Sequence, residues 1–163
     1  MGWIRGLVIF AFGLMAGLLL KQAGAIERHP GVTLNHFGVS ARNMDESLDF
    51  YTRKLGFPVA YQVRDNQGNL TSYHIRIGRD TELELQPMKA DRPPGVTHVG
   101  LWVDNIDATV AALRKQGVDV GDPFTGFTKA RVTNIVDPNG VRLELLELPP
   151  ESMQRKSMEA WRP

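Results

Sequence analysis

Leu34-Asn35-His36-Phe37-Gly38-Val39 is echoed further along the chain by Val96-Thr97-His98-Val99-Gly100-Leu101. Each hexapeptide reads apolar, polar, His, apolar, Gly, aliphatic. With the two histidines superposed, the flanking sequence stays in step. Asn43-Met44-Asp45 aligns with Asn105-Ile106-Asp107, and Leu48 with Val110. Leu55-Gly56-Phe57 aligns with Gln116-Gly117-Val118 once one residue is dropped, and Leu83-Glu84-Leu85 with Leu143-Glu144-Leu145. The step from His to Glu is 48 residues in the first copy and 46 in the second. A repeat of this length indicates one supersecondary unit used twice.

Each copy reads as strand, helix, then three strands. Asn35 to Ala41 is a short β-rich run. Over residues 43–54 the apolar positions Met44, Leu48 and Tyr51, with Leu55 just beyond, keep the spacing of one helix face. Asn43 is placed to cap that helix, with Glu46 three residues on, and Gly56 to stop it. Asn105 and Gly117 do the same around Ile106, Val110 and Leu113. Asp65-Asn66-Gln67-Gly68 and Asp137-Pro138-Asn139-Gly140 are turn sequences between strands. The modules span 32–88 and 95–148, joined by a linker from Met88 to Gly95. The polar segment 149–163 is expected outside the core.

Composition narrows the function. The 163 residues are enough for one domain with a real core. Nineteen basic and 18 acidic residues are scattered along the chain, which excludes a nucleic-acid footprint. With no cysteine there is no disulfide, thiolate ligand or Cys nucleophile. Gly6 to Leu20 is uncharged and follows Arg5, and Ala23-Gly24-Ala25 supplies small residues at its end. Residues 1–25 therefore read as a cleaved signal peptide or a retained anchor. Residues 3–20 are long enough for membrane attachment if Arg5 snorkels. Either reading expects an exported domain: periplasmic, secreted or membrane-anchored.

Two βαβββ modules, with a His in each first strand and a Glu in each last strand, resemble the vicinal-oxygen-chelate superfamily over roughly residues 32–148. The resemblance runs from His36 through Phe50-Tyr51 to Leu55-Gly56-Phe57, and from Asp137-Pro138-Asn139-Gly140 into Leu143-Glu144-Leu145. It implies an α+β fold in which the paired modules form a curved mixed sheet around one divalent metal ion. The implied ligands are His36, Glu84, His98 and Glu144. The modules would pair within one chain or across a homodimer.

Residue chemistry agrees with that ligand set. Imidazole and carboxylate donors suit Ni²⁺, Zn²⁺, Co²⁺, Mn²⁺ or Fe²⁺. Strand alternation puts Leu83 and Leu85 on one sheet face and Glu84 on the other, and treats Leu143, Glu144 and Leu145 alike. A carboxylate inside a barrel needs a partner or a cation. Glu82 shares the face of Glu84 and replaces it as ligand if the register slips by two, whereas Glu147 faces the other way from Glu144. His74 either enters the pocket or is structural. Lys129 and Arg131 either receive an anionic substrate group or form a solvated face.

The His-Glu-His-Glu pattern resembles glyoxalase I of the bacterial kind, a lactoylglutathione lyase. That resemblance implies a small-molecule substrate whose proton is moved at a carbon beside a chelated oxygen, with Glu144 as catalytic shuttle. Ser40 and Met88 stand where glyoxalase I typically has the Arg and Asn that serve its glutathione substrate. The alternatives are a superfamily dioxygenase, an epimerase or a non-enzymatic small-molecule binding protein. Methylmalonyl-CoA epimerases usually carry Gln at the position of Glu84.

Overall fold

The computed structural model describes residues 31–162. The first module comprises β1 (Thr33–Ala41), α1 (Met44–Asp49), a π-helical segment (Phe50–Lys54), β2 (Val59–Arg64), β3 (Leu70–Arg76) and β4 (Glu82–Pro87). The second comprises β5 (Gly95–Trp102), α2 (Ile106–Lys115), β6 (Phe124–Thr125), β7 (Arg131–Val136) and β8 (Arg142–Glu147), followed by α3 (Met153–Ala160).

The expected caps form. The Asn43 side chain accepts the Glu46 N–H (3.2 Å) and Asn105 accepts the Ala108 N–H (2.8 Å). Helix α2 closes with Gly117 N–H on Arg114 O and Val118 N–H on Leu113 O, both 3.0 Å, around Gly117 at φ 80°. The first copy has one residue more between cap and stop. Residues 43–54 are therefore not a uniform α-helix: the surplus residue widens the last turn, and Leu55 N–H reaches back to Phe50 O (3.0 Å).

All eight strands form one sheet in the order β2-β3-β4-β1-β5-β8-β7-β6. Within each module the first strand lies parallel to the last, β1 with β4 and β5 with β8. The modules join where β1 runs antiparallel to β5. The sheet curls into a half-barrel of the expected α+β class, its four central strands being those that carry the repeated His and Glu. Alternation then sorts the side chains. Leu83 and Leu85 pack with Ile75, Met44, Leu48 and Tyr51 against the first helix, and Leu145 with Ile106, Val110 and Leu113 against the second. The intervening Glu84 and Glu144 face the concave side. Burying a leucine of this kind is worth about 2 kcal/mol, so a register slip would be costly.

Two expectations are corrected here. Residues 149–163 do not all lie outside the core: α3 buries Met158 against Leu146 and Leu148 and holds Gln154 at 4% exposure. A helix of polar composition still packs when two side chains on one face find a groove. Export or membrane attachment is also overturned as a structural reading. Among the described residues no helix is long and apolar enough to cross a membrane. The signal or anchor at 1–25, with its membrane stretch 3–20, lies outside the described residues.

Candidate metal centre

Each of the four central strands delivers one of the expected ligands to the concave face: Glu84 from β4, His36 from β1, His98 from β5 and Glu144 from β8. The register explains the recurrent His-x-Gly. Gly38 lies opposite His98 and beside Glu84, while Gly100 lies opposite His36 and beside Glu144. A Cβ on Gly38 would come within 2.0 Å of His98 Cε1, and one on Gly100 within 2.2 Å of His36 Cε1. Each copy's glycine thus makes room for the other copy's imidazole.

Three of the donor atoms meet, and Glu144 reaches one of them. His36 Nε2 lies 2.9 Å from His98 Nε2, 3.7 Å from Glu84 Oε2 and 3.4 Å from Glu144 Oε2, and His98 Nε2 lies 3.2 Å from Glu84 Oε2. His36, Glu84 and His98 each offer a ligand atom, all within 4.8 Å of one another, so the group could hold a metal ion. The three edges of 2.9, 3.2 and 3.7 Å define a triangle whose corners are about 1.9 Å from a common centre, close to the ~2.0–2.1 Å of a metal–imidazole bond. All four side chains come from one chain, so the centre needs no partner subunit to assemble.

Neighbouring groups orient the rings. His36 Nδ1–H donates to Asn35 Oδ1 (3.0 Å), which leaves the Nε2 lone pair aimed at the centre. His98 Nδ1 has the Thr97 hydroxyl at 3.0 Å and Arg142 Nη2 at 2.8 Å. The hydroxyl oxygen can accept from Nδ1–H, whereas the guanidinium only donates. Ligation through His98 Nε2 therefore requires Arg142 to swing away. Burial of His36 opposes its charge, but the Glu144 hydrogen bond and the charges of Glu84, Glu144 and Glu82 prevail and raise its pKa. Burial likewise opposes ionisation of Glu84, yet the His98 hydrogen bond and the charges of His74, His36 and His98 hold it well below the usual carboxylate range. Two imidazoles and two carboxylates so placed must share protons or a cation, and the donor set fits a divalent ion.

Glu82, the alternative ligand, lies behind the centre at 1% exposure. Its Oε1 meets Arg76 Nη2 (2.6 Å) and the Ser157 hydroxyl (3.2 Å), and its Oε2 meets the Tyr61 hydroxyl (2.8 Å) and His74 Nδ1 (3.0 Å). Burial would raise the Glu82 pKa, but His74, Arg76 and Tyr61 outweigh it and lower it. With both oxygens occupied it has no role as a ligand. His74 enters the pocket, stacked on Tyr61 at 4.4 Å. Arg131 pairs with Asp107 (2.7 Å) and Glu147 (3.5 Å), away from the centre. Sequence reasoning missed Asn35, Thr97, Tyr61, Arg76, Arg142 and Ser157. Only Asn35 and Thr97 left a signal, as the polar residue preceding each histidine.

The centre opens into a cavity of about 500 Å³ walled by Val63, Ser72, Gln86, Arg92, Phe124 and Phe127, among others. The chain is 26% identical over 126 residues to the uncharacterized protein YwkD of Bacillus subtilis, covering 71% of this chain and 96% of that protein. It is 28% identical over 101 residues to the mitochondrial methylmalonyl-CoA epimerase of Dictyostelium discoideum, covering 55% of this chain and 60% of that enzyme. The crystal structure of methylmalonyl-CoA epimerase from Mycobacterium tuberculosis superposes with a TM-score of 0.63 at 25% identity, covering 72% of this chain and 89% of that one. The family model that matches, over residues 33–145, establishes that the chain belongs to the Glyoxalase/Bleomycin resistance protein/Dioxygenase superfamily.

Proposed function

We propose that the chain is a metal-dependent enzyme that removes and returns a proton at the carbon beside a thioester carbonyl, an epimerase-type reaction. His36, Glu84, His98 and Glu144 hold the ion and Glu144 is the catalytic base. The observation that carries this reading is the grouping of His36, Glu84 and His98 donor atoms at the floor of a cavity, with Glu144 Oε2 3.4 Å from His36 Nε2. A divalent cation there would polarise the substrate carbonyl and acidify the neighbouring C–H. The histidines are committed to position through Asn35 and Thr97. Glu144, at 21% exposure and without a second ion pair among the described residues, is the carboxylate left to accept a proton. Likeness to methylmalonyl-CoA epimerases supports a branched acyl thioester as substrate.

Glu84 favours a second reading. A second carboxylate, where epimerases usually carry Gln, matches a glyoxalase-type transfer between adjacent carbons. Both reactions are tested on protein loaded with Zn²⁺, Ni²⁺, Co²⁺, Mn²⁺ or Fe²⁺ in turn. Methylmalonyl-CoA and the glutathione hemithioacetal of a 2-oxoaldehyde are the substrates, and conversion and deuterium uptake are followed in D₂O. Conversion of the thioester alone supports the epimerase reading, and conversion of the hemithioacetal alone replaces it with the glyoxalase one. A protein that binds no divalent ion refutes both.

A further inference from the structure

We propose that Arg92, with Lys89 facing it across a tight turn, is an anion-binding subsite of this cavity, holding a carboxylate or phosphate that the substrate carries several bonds from its reacting carbon. The inference rests on the reading of the cavity as a substrate site and names one group that the substrate must have.

The linker between the modules builds the subsite. Lys89 N–H donates to Arg92 O (3.2 Å) and Arg92 N–H to Lys89 O (3.0 Å), so the two residues oppose each other across a turn. The turn is tied to β1, because Met88 N–H donates to Ala41 O (2.9 Å) and the Ser40 hydroxyl to Arg92 O (3.0 Å). Directly opposed residues carry their side chains on the same side, and Lys89 and Arg92 both line the cavity. Like charges so placed repel each other. Among the described residues neither side chain has a carboxylate in ion-pair contact. Asp65, the acid of the cavity wall outside the metal centre, is turned into its own hairpin. It accepts the backbone N–H groups of Gln67 and Asn69 and the Asn69 side-chain amide, each at 2.9 Å.

Arg92 is held but not neutralised. Its terminal nitrogens donate to Oε1 of the buried Gln86 and to Pro87 O (3.0 Å), both uncharged acceptors. Each terminal nitrogen keeps a second hydrogen to offer, while the enclosed Nε takes no part. The side chain as a whole is half-buried, so its charge is within reach of the cavity and only partly screened by water. A charge-assisted hydrogen bond to an anion would satisfy it. Gln86 also fixes where that anion stands. It follows Glu84 by two residues on β4 and so faces the same concave side, about 6.6 Å further along the strand. A group bonded to Arg92 is therefore not the group at the metal centre, and the substrate carries its anion apart from the reacting carbonyl. The second module supplies no counterpart. Leu146 stands two residues beyond Glu144, as Gln86 does beyond Glu84, and is covered by Met158.

Calorimetry on the zinc-loaded protein tests this with three thioesters that differ in where an anion sits. Propionyl-pantetheine has none, succinyl-pantetheine has a carboxylate on the acyl chain, and propionyl-CoA has phosphates on the carrier. At least one of the charged pair should bind about 10–100-fold more tightly than the neutral one, and which of them does so identifies the source of the anion. Arg92→Gln should keep its zinc and its affinity for propionyl-pantetheine but lose that preference. Arg92→Lys, which keeps the charge without the planar fork, should restore part of it. The proposal is overturned if neither charged thioester binds better than the neutral one, or if Arg92→Gln weakens all three alike. If no thioester binds, the thioester reading fails by itself, and inorganic phosphate and succinate decide the subsite. In ¹H–¹⁵N spectra at least one of them should shift the amides of residues 89–92 saturably in the intact protein and not in Arg92→Gln. No shift, or the same shift in both proteins, would overturn the proposal.

Discussion

The two modules hold the same four donor positions but surround them differently. Behind Glu84, the first module stacks a closed polar network: Arg76 and His74 on β3, Glu82 on β4, Tyr61 on β2 and Ser157 from α3. At the equivalent register positions behind Glu144, the second module has Val136, Asn134 and Arg142. Arg142 pairs with no carboxylate among the described residues and leans on the back of His98 instead. The repeat thus retains the four expected donor positions and departs in the side chains that stand behind them. One flank is rigid and buried and presents an imidazole. The other is more open, with Glu144 its titratable group facing the centre.

The largest effect is expected where the modules interlock. Gly38→Ala and Gly100→Ala each push a methyl group into the facing imidazole, and neither the strand nor a ring packed at 5.0 Å against the other can yield. Both variants should bind zinc at least about 100-fold more weakly, read by competition with a chromophoric chelator, and circular dichroism should show the sheet retained. A variant that binds normally would break the reading of His-x-Gly as mutual clearance.

Glu144→Gln and Glu84→Gln probe whether the two carboxylates are equivalent. Glu144→Gln should keep substantial metal and lose about 10²–10⁴-fold in turnover, whereas Glu84→Gln, which leaves the base in place, should lose less than about 10-fold. Equal losses would make the centre functionally symmetric. The networks behind them should differ in stability. Glu82→Leu strands the buried Arg76 charge and should cost about 3–5 kcal/mol in urea unfolding. Arg142→Leu, at the matching position, should cost within about 1 kcal/mol and tighten zinc binding, since it frees His98 Nδ1 for Thr97.

Asn35→Ala should weaken zinc binding about 10–100-fold by releasing the His36 tautomer. The smallest expected effect is a pH shift. Because the surrounding carboxylates raise the His36 pKa above 6.5, its proton competes with the ion at higher pH than a free histidine would. Zinc occupancy at fixed free zinc should fall as pH is lowered, beginning above 6.5, and Glu144→Gln should move that fall to lower pH.

Much of this molecule is determined locally. The repeated hexapeptide, the Asn caps, the Asp-Asn and Asp-Pro turns and the Leu-Glu-Leu triplets impose their periods within a few residues. The βαβββ order, the concave face and the positions of His36, Glu84, His98 and Glu144 are therefore legible from sequence alone. What tertiary structure decided is which residues meet across strands. The β1–β5 pairing brings the two half-sets side by side, and the opposed glycines make that pairing possible. Glu82 is equivalent to Glu84 in strand phase, yet only the arrival of Arg76, Tyr61, His74 and Ser157 makes it a buried anchor and leaves Glu84 at the centre. Ser157 comes from a helix whose polar composition marks it as surface, and its hydrogen bond to Glu82 spans 75 residues. Period and propensity describe a side chain's own strand or helix. The partners that set its charge, tautomer and use come from elsewhere in the chain, and folding alone brings them together.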